Sequence, residues 1–142
     1  MPITLELRHE GRIAFQIYSD PLDMREILAH TERMDREVFD QAALPVYALL
    51  DFTRVTRLPR NLLNIAISRM KRPHRMRCGA ILVTDNGLVH TLATVAIKVS
   101  QSSKVSVCRT QDEAWQAIEC LLEAEKLNSS SEVISPTDNG GP

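Results

Sequence analysis

The feature that most constrains the fold is an apolar run that passes directly into the start of a helix. Residues 46–63 read VYALLDFTRVTRLPRNLL. A strand that is apolar at nearly every position is typical of the inside of a sheet covered on both faces. Pro59, which follows, is tolerated in the first turn of a helix. The run predicts an α/β domain, and ligands and partners often meet such sheets at this strand-to-helix edge.

The remaining patterns alternate between strand and helix. Strands are expected over residues 3–8, 12–18, 46–52, 76–84 and 104–109. Helices are expected over residues 21–39 and 58–72, after the turn at residues 85–87, and from Thr110 onward. Gly11 permits the tight turn of a hairpin. Asp20 is expected to cap the first helix with Pro21 at its first position, and Thr110 with Glu113 forms a capping box for the last.

The order of these elements predicts one α/β domain, β-β-α-β-α-β-α-β-α, with a mixed sheet of four to five strands packed against four helices. The domain covers residues 1–126. Residues 127–142 turn to Ser, Asn, Gly and Pro, which leaves little to bury, and this polar tail is predicted to be disordered.

The predicted second and third helices carry apolar stripes that should face the core. The stripe of the second helix contains Leu63, Ala66, Ile67 and Met70, and that of the third contains Leu88, Leu92, Val95 and Val99. Well-filled stripes of this kind are expected to leave no cavity. The turn at residues 85–87, Asp-Asn-Gly, is expected to cap the third helix rather than to bind phosphate, since it holds a single glycine and an acid.

Charge is distributed unevenly along a chain whose net charge is −1. Residues 54–77 contain eight of the seventeen basic residues and no acid. Three interpretations stay open: solvated charges, ion pairs with the acids of residues 25–40, or a patch for an acidic protein, anionic lipid or nucleic acid. Nucleic acid is disfavoured, because no aromatic side chain lies within the segment to stack on bases.

No pattern of a metal site, a cofactor site or a catalytic set is found. Cys78, Cys108 and Cys120 are odd in number and far apart, which indicates reduced thiols and a cytoplasmic location. Cys78 and His74 are the only close Cys/His pair, and they are poorly placed to converge. No apolar run approaches the roughly 20 residues that span a bilayer. We therefore expect no enzyme, no cofactor and no transmembrane segment.

Three segments together resemble the STAS domain family, named after sulfate transporters and anti-sigma-factor antagonists. Residues 18–23, YSDPLD, match the passage from the second strand to the first helix. Residues 50–55, LDFTRV, match the family's apolar strand ending in Asp, and residues 104–114 match the final strand and the start of the last helix. The resemblance implies a non-catalytic interaction module of a bacterial signalling type; the broader fold family also includes lipid carriers.

The chain departs from this family at the regulatory site. The Asp, the phosphorylated Ser and the Gly of the family pattern fall on Pro59, Arg60 and Leu62 when the two are aligned from Asp51. Arginine cannot accept the phosphoryl group, and a helix N-terminus favours an anion rather than a cation. The serine phospho-switch of the family is therefore not expected here.

The sequence favours protein interaction and regulation without catalysis. The candidate partner-binding residues are Thr53, Arg54, Thr56, Arg57, Arg60 and Asn61, at the strand-to-helix edge. Thr56 is also a candidate phosphorylation site, since Arg54 and Arg57 flank it. The expected partner is a protein with an acidic contact surface, and a homodimer is a further arrangement. A small-ligand or lipid-binding module of the same fold, and an enzyme of unknown class, are the alternatives.

Overall fold

The predicted alternation of strands and helices is present in a computed structural model of the chain, which describes the backbone of residues 2–140 and the side chains of residues 2–128. The strands are β1 (Ile3–Arg8), β2 (Ile13–Ser19), β3 (Val46–Arg54), β4 (Arg77–Val83) and β5 (Val105–Cys108). The helices are α1 (Met24–Arg33), which continues as a π-helical segment (Met34–Phe39), α2 (Leu62–Lys71), α3 (Gly87–Ser100) and α4 (Gln111–Gly140). The predicted α/β class, element order and mixed sheet are confirmed.

The five strands lie in the sheet in the order of the chain. β1 pairs antiparallel with β2, and the other neighbours pair parallel. Connections between parallel strands are right-handed. Because β2 to β5 follow one another in one direction across the sheet, α1, α2 and α3 all lie on the same face, here called the front face. α4 covers the opposite, back face.

The back face carries the larger core. Phe15, Leu49 and Val83 are buried there against Ala114 and Ile118 of α4. The start of α4 is capped as predicted by Thr110, whose Oγ1 accepts the Glu113 N–H at 3.2 Å. Thr110 thereby satisfies a backbone donor in the first turn of α4, and Oε1 of Glu113 accepts the Thr110 hydroxyl at 3.3 Å.

The front face is closely packed only beneath α1 and its π-helical continuation. Ile27 packs with Tyr18 and Phe52, and Met34 and Val38 belong to a further cluster with residues of β2 and β3. No residue of α2 is buried. The front face is therefore filled at one side and loosely covered at the other.

Two helices begin later than the sequence predicted. α1 begins at Met24, because Asp23 rather than Asp20 caps it by accepting the Glu26 N–H at 2.8 Å. α2 begins at Leu62 instead of residues 58–59, because Asn61 has φ 69°, a left-handed conformation that cannot continue into a right-handed helix.

The predicted apolar stripes of α2 and α3 do not form the core. Leu88, Val95 and Val99 of α3 are exposed, whereas Val89 and Ala96 are buried. α3 is apolar around most of its circumference, so its periodicity does not decide which side turns inward.

The backbone of α4 is helical through Gly140, beyond the domain end predicted at residue 126. The predicted disorder of residues 127–142 stays a prediction, since residues 141–142 and the side chains after residue 128 lie outside the described residues.

Candidate functional site

A cavity of about 670 Å³ separates the front face of the sheet from α2 and α3. Small side chains line both of its walls: Ala48 and Ala80 on the sheet, and Ala66, Ala93 and Ala96 on the helices. Short side chains on both layers leave the space between them unfilled. The expectation of a core without a cavity is therefore wrong.

The walls of this cavity are mostly apolar. Leu50, Phe52 and Leu82 line it from the sheet, and Met70 and Leu92 line it from the helices. Its volume lies within the roughly 300–1,000 Å³ of small-molecule sites, which combine such walls with a few polar groups. A cavity of this volume with mostly apolar walls has room for an organic molecule.

Three polar side chains from β2 and α1 form a hydrogen-bonded group on the cavity wall. The hydroxyl of Tyr18 donates to Oε1 of Gln16 at 2.8 Å, and Nε2 of His30 lies 2.7 Å from the same oxygen. Gln16, Tyr18 and His30 are all buried. Burial raises the pKa of the Tyr18 phenol above its ordinary range. The group therefore presents uncharged polar atoms within an apolar wall.

His30 is uncharged at neutral pH. Burial, with the nearby charge of Arg33, lowers the pKa of His30 to about 4. Nη2 of Arg33 lies 3.4 Å from Nδ1 of His30, a contact that requires Nδ1 to be the acceptor. Nε2 then carries the proton and donates to Gln16, whose Oε1 can only accept.

Three charged residues line or flank the cavity near the start of β4. Arg69 of α2 donates to both carboxylate oxygens of Asp35, from Nη1 at 3.0 Å and Nη2 at 2.8 Å. These bonds hold the pKa of Asp35 below its ordinary value. Arg77 also lines the cavity, and its Nε is buried with no hydrogen-bond partner in the part of the chain that the structure describes. Burial, with repulsion from Arg69, lowers the pKa of Arg77.

The cavity opens at the strand-to-helix edge. Thr56, Arg57, Asn61 and Leu88 line it and are also exposed to solvent. The mouth therefore includes three of the six predicted partner-binding residues. The sequence analysis expected these residues at the strand-to-helix edge and did not foresee the cavity behind it; their role in partner binding stays a prediction.

Hydrogen bonds fix the two threonines of this edge. Thr53 donates from its N–H and Oγ1 to Oδ1 of the buried Asp51, at 2.8 and 2.7 Å. Thr56 donates from its N–H and its Oγ1 to the carboxylate of Asp20. Phosphorylation of Thr56 stays a prediction; a phosphate on that oxygen would stand beside the Asp20 carboxylate.

The remaining predicted residues are the edge arginines. Arg54, Arg57 and Arg60 are exposed, and none forms an ion pair with the side chains of residues 2–128. Arg60 directly precedes Asn61, the capping position before the first residue of α2, Leu62. The three cations are free to face a partner or an anionic ligand.

The interpretation that the basic residues of the segment 54–77 form ion pairs with the acids of residues 25–40 holds for only part of the segment. Arg69 pairs with Asp35, and Nε2 of His74 lies 2.7 Å from Asp40. Glu32 and Glu37 lie instead within 4 Å of arginines of α1 and its continuation. Among the described side chains, the acids of residues 25–40 thus contact only two side chains of residues 54–77, Arg69 within α2 and His74 after it.

The Cys78–His74 pair does not form a catalytic arrangement. Nδ1 of His74 accepts the Met76 N–H at 3.0 Å, and Nε2 contacts Asp40, so both ring nitrogens are engaged away from the thiol. Burial raises the pKa of Cys78, which favours the unreactive thiol. Within the described part of the chain, no three His, Cys, Asp or Glu side chains are grouped to hold a metal ion.

Sequence reasoning missed the polar residues of the cavity. Gln16 is the one polar position inside the apolar stretch IAFQIY of β2, and His30 lies beside the apolar stripe of α1. A polar residue at an inner-strand position indicates a buried hydrogen bond. Arg77 gave no comparable signal, because it was one of eight basic residues in its segment.

The helices of the described residues include none that is both long and apolar enough to cross a membrane. No family model, no curated protein and no solved structure matches this chain.

Proposed function

We propose that this protein is a non-catalytic binding module that holds a small, largely apolar ligand between its sheet and helices α2 and α3. The observation that carries the proposal is the cavity of about 670 Å³, which has apolar walls and opens beside Arg57. The resemblance to STAS domains supports the same proposal, because the broader fold family includes lipid-carrying members.

The packing of the cavity supports a ligand for a physical reason. Side chains that face a void lose dispersion contacts on that side. An apolar molecule in the cavity would restore those contacts for Leu50, Leu82 and Leu92. Ala66, Ala93 and Ala96 give it room without displacement of the backbone.

A neutral solvatochromic dye, Nile red, tests the proposal. The wild-type protein is expected to shift and enhance the emission of the dye in a saturable manner. Ala93→Phe, which fills the cavity from α3, should abolish this uptake. Val95→Phe is the matched control, because Val95 lies on the same helix, is 42% exposed and does not line the cavity.

The dye experiment distinguishes binding in the cavity from binding elsewhere. Equal dye uptake by Ala93→Phe and Val95→Phe, with both variants folded by circular dichroism, would remove the cavity as the binding site. Native mass spectrometry of the protein purified from its source would then show no bound small molecule. Retained mass adducts in the wild type alone would identify the natural ligand.

A second candidate is a protein interaction at the same edge, as the STAS resemblance implies. Arg54, Arg57 and Arg60 support it, since they are exposed and unpaired among the described side chains. The partner would carry an acidic surface; a second copy of the chain is the alternative partner. A cytoplasmic location, supported by the three free thiols, is part of this proposal.

A pull-down from the source cell tests this candidate. Arg57→Glu combined with Arg60→Glu should release an acidic partner. Arg72→Glu with Arg75→Glu is the control, since these exposed residues belong to the same basic segment at the other end of α2. Partners that both double variants retain equally would eliminate the edge as their contact surface.

A further inference from the structure

We infer that the ligand of the cavity is an amphiphile with a single carboxylate, and that the guanidinium of Arg77 binds this carboxylate. This inference rests on the proposed function and names the ligand class. It assigns a binding role to a residue that lies outside the strand-to-helix edge.

The first step is the charge balance at the start of β4. Arg69 uses both terminal nitrogens on the two oxygens of Asp35, so that pair is internally neutral. Asp35 is also the acid whose charge acts on Arg77. Because Arg69 already engages Asp35, the charge of Arg77 has no directly bonded counter-charge among the side chains of residues 2–128.

The second step is the surroundings of that charge. Nε of Arg77 is buried and has no hydrogen-bond partner among the described residues. A buried donor without an acceptor is unfavourable, and here it belongs to a cationic side chain that as a whole is only partly buried. Arg77 lines an apolar cavity. A ligand oxygen there would supply what the protein does not.

The third step is the chemistry that a guanidinium recognises. Its planar fork donates two parallel hydrogen bonds to a carboxylate. A phosphate monoester carries nearly two negative charges and would require a second free cation. Arg69 is already engaged, so a group with one charge is the better match.

The fourth step is the position of Arg77 relative to the mouth. Arg77 is the first residue of β4, and Asn86, which also lines the cavity, follows the other end of that strand. Seven residues of strand span about 20 Å. A carboxylate at Arg77 would leave an apolar chain to extend along Leu82 and Leu92 toward Arg57.

Displacement of Nile red by three ligands of equal chain length tests the inference: dodecanoate, dodecanol and dodecyl phosphate, each below its micelle concentration. Dodecanoate is expected to bind wild type about tenfold more tightly than dodecanol, as a charge-assisted hydrogen bond contributes. Dodecyl phosphate should not bind more tightly than dodecanoate. Tighter binding of the phosphate would overturn the single-charge assignment.

Variants locate the carboxylate. Arg77→Gln should remove the advantage of dodecanoate over dodecanol, and Arg77→Lys should restore part of it. Arg75→Gln, at an exposed neighbouring position, should retain the full advantage. An advantage that persists in folded Arg77→Gln would overturn the role of Arg77.

A measurement on the wild type alone covers the case in which Arg77→Gln does not fold. The carboxyl carbon of bound, ¹³C-labelled dodecanoate should titrate at a lower pH than in water, since a guanidinium favours the ionised form. An unchanged or raised midpoint would overturn the inference. Equal binding of dodecanoate and dodecanol would overturn it while the proposed function stands, whereas absence of Nile red uptake would overturn both.

Discussion

Nε2 of His30 lies 2.7 Å from Oε1 of Gln16, which joins α1 to an inner strand of the sheet by a buried hydrogen bond. Tyr18 donates to the same oxygen. The three side chains lie on the front face, where the packed region beneath α1 meets the cavity. This arrangement depends on the neutral form of His30, which makes it sensitive to acid.

Acidification should destabilise the protein through His30. Its pKa is about 4 in the folded state, below the ordinary value of 6.5, so the unfolded chain takes up the proton first. The stabilisation is complete above pH 6.5 and is lost as the pH falls toward 4, with a maximum of about 3 kcal/mol. Urea unfolding across this range measures the loss.

The His30→Gln variant identifies the source of that pH dependence. Glutamine keeps a donor toward Gln16 and does not titrate, so the free energy of unfolding should change less between pH 6.5 and pH 4. An NMR titration of the His30 ring gives the midpoint directly. A variant with the same pH slope as the wild type would contradict the assignment.

Gln111→Ala should destabilise the contact between α4 and the end of β3. Nε2 of Gln111 donates to Oδ2 of Asp51, and Asp51 is 3% exposed. Without this donor, a buried carboxylate oxygen loses a partner, which costs about 1–3 kcal/mol. Gln116→Ala, at an exposed position of the same helix, is the control and should stay within about 0.5 kcal/mol of wild type. Equal denaturation midpoints for the two variants would refute the prediction.

Gly79→Ala should destabilise β4. A Cβ at this position would lie 3.1 Å from Cδ1 and 3.3 Å from Cε1 of Tyr47. The Tyr47 ring is part of the back-face core and its hydroxyl contacts Glu125, so it cannot move freely. Overpacking of this kind costs about 1–3 kcal/mol.

The control for this change is Gly87→Ala at the start of α3. Nothing lies within 4 Å of a Cβ there. The change should be neutral or slightly stabilising, since alanine favours a helix over glycine. Thermal unfolding of both variants gives the comparison, and a Gly79→Ala variant as stable as Gly87→Ala would show that Tyr47 adapts without cost.

Thr56→Val should loosen the segment between β3 and α2. Valine keeps the shape of threonine and removes the hydroxyl that donates to Asp20. Hydrogen exchange of residues 57–61, followed by mass spectrometry, should become faster at the mouth of the cavity. Thr91→Val, at an exposed position of α3, removes a hydroxyl that donates within its own helix, and the exchange of residues 57–61 should stay unchanged.

Exchange equally slow in wild type and Thr56→Val would show that the backbone bond from Thr56 to Asp20 suffices. The hydrogen bonds from the hydroxyl and the N–H of Thr56 hold the pKa of Asp20 below its ordinary value. The Asp20 contact therefore persists into mildly acidic solution, where the loss of stability through His30 begins.

The strand-to-helix edge illustrates what could be predicted for the site. Its position followed from the apolar β3, and Thr56, Arg57 and Asn61 do lie at the cavity mouth. The pairing of Thr56 with Asp20 could not be predicted, because the two residues are 36 positions apart. The same holds for Arg69 and Asp35, which are 34 positions apart and whose contact leaves Arg77 without an ion pair among the described side chains.

By itself, the sequence determined the order of the elements, because their patterns are local. β3 is apolar at most positions and had to be an inner strand, and Thr110 and Asn86 cap the helices they precede. These features depend on residues within a few positions of one another, where periodicity and hydrogen-bonding capacity suffice.

Only the tertiary structure decided the cavity and the orientation of α3. The volume left between two layers depends on side chains far apart in sequence, here Ala48 and Ala80 opposite Ala66 and Ala93. α3 is apolar on nearly every side, so local hydrophobicity favoured no orientation, and the fold turned Leu88 outward. Packing depends on the side chains of two surfaces that face each other, and the sequence of one strand or helix does not specify which surface it will face.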